Sequence, residues 1–134
     1  MIKLVDVYAV PDPLHFLYGL LLERPKEANI SHKSMPSFQD HVRFVDSIPY
    51  SAWYLIVTNK GERVGAIYLS KQNEVGIAIG EQHRGKGYGA LALEMLRKLH
   101  PGRLLANVAP GNYASHEFFK AMGWKVIQYT YEAA

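Results

Sequence analysis

Residues 2–10 form a short apolar-rich run that reads as a strand. Asp12-Pro13 then supplies an N-cap and a proline at the first helical position, predicting a helix to about Arg24, where Pro25 stops it. Residues 26–36 have no clear period, and Pro36-Ser37 leads into a second helix with Ser37 and Asp40 spaced as a capping box. From Ser51 the pattern changes to three short β-rich runs, 52–58, 63–70 and 74–79, which predict an antiparallel meander. A glycine-rich segment follows, then a helix with Leu91, Met95 and Leu99 on one stripe, ended by Pro101-Gly102. Residues 103–108 read as a strand. A last helix starts at Asn112 and closes at Gly123, a left-handed C-cap position, before a final strand from Trp124 to about Tyr131. The predicted order is βααβββαβαβ in a single domain over residues 1–134, without internal repeat or low-complexity tract.

Composition narrows the chemistry. There is no cysteine, which removes disulfides, thiolate metal sites and cysteine nucleophiles together and suits a reducing, cytoplasmic setting. The longest apolar run, residues 14–22, is broken by His15 and Gly19 and falls short of the ~20 residues that span a bilayer. The amino terminus lacks the pattern of a signal peptide. A net charge of +3 favours anionic ligands such as a phosphorylated cofactor, while the scattered basic residues lack the aromatic-basic signature of a nucleic-acid-binding sheet. Six histidines without regular ligand spacing or an acidic partner cluster predict no metal site.

The most informative stretch runs from Gly80 to Ala90, because glycines between a strand and a helix let backbone amides point at phosphates. A nucleoside-triphosphate loop fits Gly80 to Lys86, but Gly87 offers no hydroxyl for magnesium. A dinucleotide fingerprint fits Gly85 to Ala90, but no acidic residue lies between positions 105 and 114 to hold a ribose. The third reading fits spacing and context together. Gln82-His-Arg84-Gly85-Lys-Gly87 resembles the Gln/Arg-x-x-Gly-x-Gly/Ala signature of the GNAT acetyltransferases, and Tyr88-Gly89 extends it. The resemblance continues in the strand before the signature, the helix after it, Asn112-Tyr-Ala-Ser115 and Gly123-Trp124, and covers residues 51–131.

That resemblance implies an α/β (α+β) GNAT fold: a central mixed, mostly antiparallel sheet of about six to seven strands flanked by about four helices. It implies acetyl-CoA as cofactor, its pyrophosphate held by the amides of Arg84, Gly85, Lys86, Gly87, Tyr88, Gly89 and Ala90, with Gln82 beside them. The backbone of Ile77, Ala78 and Ile79 is expected to pair with the pantetheine arm like an added strand. Asn112 is expected at the same arm, with Phe119 as a pocket wall. In the family a carboxylate on or near the strand preceding the signature often serves as base, which makes Glu74 the first candidate here and Glu81 the second. The family's acid is a tyrosine seven residues after the asparagine, where this chain has Phe119; Ser115, four residues earlier on the same helical face, is the candidate hydroxyl.

By the same resemblance the acceptor amine lies between the first two helices and the central strands, against Arg24, Asn29, Ser31, His32, His41 and Tyr68, with Tyr50 and Trp53 as further candidates. Arg24 and His32 suit an acceptor bearing a phosphate or carboxylate, such as an amino sugar or amino acid. Two other readings stay open at this point: an acyl-CoA-binding module without turnover, and an acetyltransferase acting on a protein or nucleic acid. A homodimer paired through the last strand is compatible with either.

Overall fold

The computed structural model describes residues 1–24 and 35–134. Four strands form one antiparallel sheet in sequential order: β1 (Ile2–Asp6), β2 (Ala52–Thr58), β3 (Arg63–Leu69) and β4 (Val75–Ile79). Four helices accompany it: α1 (Pro13–Glu23), α2 (Phe38–Asp46), α3 (Tyr88–Leu99) and α4 (Tyr113–Ala121). Strand alternation divides the apolar side chains between two faces. Trp53, Leu55 and Ala66 meet Leu17 and Leu20 of α1 and Val45 of α2 on one face. Ile56, Ile67, Leu69 and Val75 meet Ala92, Leu93 and Leu96 of α3 on the other, with Phe118 and Phe119 of α4 packed alongside. Among the described residues no helix is long and apolar enough to cross a membrane.

The capping signals act locally, as expected of short-range chemistry. Ser37 Oγ accepts from the Asp40 amide at 3.1 Å, although the Asp40 carboxylate turns to Arg43 rather than completing a capping box. Asn112 Oδ1 accepts from the Ser115 amide at 3.3 Å. Gly123, at φ +87°, closes α4 with its amide on Lys120 O, while the Trp124 amide reaches Phe119 O at 2.9 Å. This is a Schellman pair, and the contact between the Phe119 and Trp124 rings completes it. Asp12 occupies the N-cap position of α1 but caps no amide; its carboxylate binds His15 instead.

Five expectations need correction. Among the described residues the sheet has four strands, not six to seven. The run 103–108 contributes a single parallel bridge, Leu105 to Glu74, because it touches β4 at one point and then diverges. The run 124–131 forms no strand, because a strand needs a ladder partner and it finds none among the described residues; Tyr131 is 91% exposed. The first strand ends at Asp6, whose carboxylate accepts from the Tyr8 amide and turns residues 7–9 into a short 3-10 helix. The stripe of α3 is also rotated: Ala92, Leu93 and Leu96 are buried and Leu99 is 55% exposed.

Candidate active site

β4 is an edge strand, and its register decides what it offers. The Ser70 amide donates to Glu74 O and the Gly80 amide to Val64 O, so residues 76 and 78 turn their backbone groups toward β3 while 75, 77 and 79 turn theirs outward. The Val75 amide is bound to Leu105 O at 2.7 Å, and the Ile79 carbonyl accepts from Arg84 Nε at 3.0 Å. What remains along the edge is the carbonyl of Val75, the amide and carbonyl of Ile77 and the amide of Ile79. Of the three residues expected to pair with an extended arm, Ala78 directs its backbone into the sheet instead.

The edge leads directly into the glycine segment. After Gly80 a short 3-10 turn, Glu81–His83, brings the chain to Arg84. Gly85 and Gly87 then adopt φ of +75° and +84°, a conformation that only glycine takes without strain. Among the described residues no atom lies within 4 Å of where a Cβ would stand at either position, so the backbone is open to close approach. Gly87 is the N-cap of α3 and supplies no side chain to cap that end, which leaves the amides of Tyr88, Gly89 and Ala90 to whatever anion arrives. Arg84 and Lys86 are exposed beside them. These donors fit a pyrophosphate.

Gly89 is the junction with α4: a Cβ there would lie 3.5 Å from the Phe118 ring and 3.8 Å from Ile79. Phe119 packs on Trp124 and on the core cluster beneath α3. Ser115 sits in the first turn of α4, half-buried, with its amide on Asn112. Gln82 faces elsewhere, lining a cleft of about 310 Å³ with Glu23 and Arg63 at the end of α1. The Glu23 carboxylate accepts from the Glu81 amide at 2.9 Å and so ties α1 to the start of the loop.

Glu74 stands where the edge closes. Asn107 Nδ2 donates to its carboxylate at 2.6 Å, from the segment that meets β4 at Leu105. Sequence reasoning missed Asn107, since nothing in a spacing of 33 residues announces a contact created by one bridge.

On the face shared with α1 and α2, Tyr68 stacks flat on Tyr50, with ring centroids 3.8 Å apart at 7°. Trp53 and Phe44 pack edge-on against Tyr50. Burial first, and the neighbouring Tyr68 next, push the Tyr50 phenol well above its ordinary pKa, while the charge of Arg24 pulls partly back. Arg24, Tyr50 and Tyr68 therefore gather on one side. His41 does not join them: it is 4% exposed and packs against Tyr18, with ring centroids 5.4 Å apart. Asn29, Ser31 and His32 lie outside the described residues.

The sequence model of the acetyltransferase (GNAT) family matches residues 16–124, most of the chain. The chain belongs to the GNAT family. This GNAT chain is 33% identical over 81 residues to the peptidyl-lysine N-acetyltransferase YjaB of Salmonella typhimurium, a match covering 60% of the chain and 55% of that protein. It thus spans about half the length of that relative. Among solved structures it resembles an acetyltransferase from Thermus thermophilus, with TM-score 0.75 and 23% identity over 96% of this chain and 89% of that one. A domain from Methanocaldococcus jannaschii superposes with TM-score 0.71 and 20% identity, covering 98% and 93%. At these identities the structural likeness speaks for the GNAT fold. Asn107, Glu74 and the edge of β4 are features of this chain's own geometry.

Proposed function

We propose that this GNAT chain acts over residues 1–134 as an acetyl-CoA-dependent N-acetyltransferase for a primary amine of a small metabolite. The observation that carries this reading is the continuity of the open β4 edge, at Ile77 and Ile79, with the uncapped N-terminus of α3. Acetyl-CoA, when bound, supplies an activated acetyl group. The amides from Arg84 to Ala90 hold its pyrophosphate, and Ile77 and Ile79 hold its arm by strand-like pairing. Glu74, steadied by Asn107, takes a proton from the amine directly or through water. The hydroxyl of Ser115 lies at the turn that Asn112 caps, and in this reading it serves the departing sulfur. Arg24, beside Tyr50, suits an acceptor with a carboxylate or phosphate.

A second acceptor class has a specific observation behind it, since the curated relative is named for acetylating peptidyl lysine. Incubation with isotope-labelled acetyl-CoA, a fractionated metabolite extract and a lysine-containing peptide, read by mass spectrometry, separates the two. Label in a small amine is the expected result. Label only in the peptide moves the acceptor to protein, saturable binding without product supports a non-catalytic acyl-CoA module, and absence of binding overturns the proposal.

A further inference from the structure

Tyr68 and Gly76 face each other across β3 and β4 in direct register. A Cβ built at position 76 would fall on the Tyr68 ring, at its outer carbons and hydroxyl. The ring therefore lies flat across the edge strand, over a residue that must be glycine to leave it room. The adjoining pair on the same face is Ala66 and Ala78, also small. The aromatic ring, backed by Tyr50, stands over this patch of small residues.

The outer edge of β4 is closed one residue further on, where the Val75 amide is taken by Leu105. An extended ligand pairing with Ile77 and Ile79 therefore comes to a dead end beside Gly76. Whatever group terminates it must turn out of the strand line, and on the α1 and α2 face it meets the Tyr68 ring. We infer that Tyr68, laid across Gly76, is the wall that limits the acyl group of the thioester to two carbons. The inference rests on the reading of the β4 edge as the site of the pantetheine arm. A pocket closed by an aromatic ring rejects added methylenes by overlap, and opening it rewards each methylene buried.

The test titrates the full-length chain and its Tyr68→Phe, Tyr68→Ala and Tyr68→Val variants with acetyl-CoA and butyryl-CoA by calorimetry, which requires no knowledge of the acceptor. Wild type and Tyr68→Phe, which keeps the ring and loses only the hydroxyl, are expected to bind acetyl-CoA at least about tenfold more tightly than butyryl-CoA. In Tyr68→Ala and Tyr68→Val that ratio should collapse to about one or reverse. Valine, a good strand former, keeps the test available if the alanine variant fails to fold. A wild type that binds both thioesters equally, truncations that leave its preference intact, or a Tyr68→Phe variant that loses it would each overturn the wall. Binding of neither thioester by wild type would instead remove the reading of the β4 edge, and this inference with it.

Discussion

Asn107 holds the Glu74 carboxylate at 2.6 Å from a segment that bridges to the sheet at Leu105. The pair stands two residues from Gly76, on the same face of β4 by strand alternation. If Glu74 takes the proton of the amine, Glu74→Gln should lower kcat by ~10²–10⁴-fold while leaving the dissociation constant for acetyl-CoA unchanged. Asn107→Ala should lower kcat less, because the carboxylate remains and only its orientation is released. Steady-state kinetics alongside calorimetry check both, and equal loss of cofactor affinity would assign the two residues to binding instead.

The glycine cradle makes a second prediction. Gly87 sits at φ +84° with open space above it, so Gly87→Ala adds strain without a clash. A loss of about 1–2 kcal/mol in stability is expected from the left-handed conformation alone. Acetyl-CoA affinity should fall further than stability does, because the strained residue is the N-cap whose neighbours' amides receive the phosphates in the proposed binding mode. Thermal unfolding with and without acetyl-CoA separates the two losses.

His41 couples stability to pH. It is buried on α2, its Nε2 has no partner among the described residues, and burial holds its pKa below the ordinary value. The unfolded chain therefore takes up a proton that the folded chain resists. Its contribution is fully present above about pH 6.5 and is lost as pH falls through that value toward the lower folded pKa. His41→Leu should flatten this part of the stability profile and, by removing an unsatisfied buried nitrogen, cost little at neutral pH. Urea unfolding from mildly acidic to mildly alkaline pH measures the slope; an unchanged slope in the variant would contradict the assignment.

The end of α4 supplies a fourth. Gly123 holds φ +87° so that the Trp124 amide can reach Phe119 O and their rings can meet. Gly123→Ala should cost about 1–2 kcal/mol. Trp124→Ala should cost at least as much, through the packing of Phe119 against the core beneath α3. Neither change touches the α3 amides, so both variants should still bind acetyl-CoA below their unfolding temperature.

Local chemistry was legible from residue order alone. Ser37 and Asn112 cap their helices, Gly123 takes the left-handed conformation, and Gly85 and Gly87 bend the loop, because each acts within a few residues of itself. The three central strands and the four helices could be read for the same reason: their periodicity is a property of the segment. Tertiary structure alone decided what depends on a distant partner. Among the described residues the run 103–108 has the composition of a strand yet pairs at Leu105 only, and residues 124–131 join no ladder. That single bridge creates the Asn107–Glu74 contact and closes the β4 edge beside Gly76, where the Tyr68 ring lies. The glycine turn ahead of α3 was written in consecutive residues. The place where the edge ends, and what stands over it, was settled by which strands found a partner.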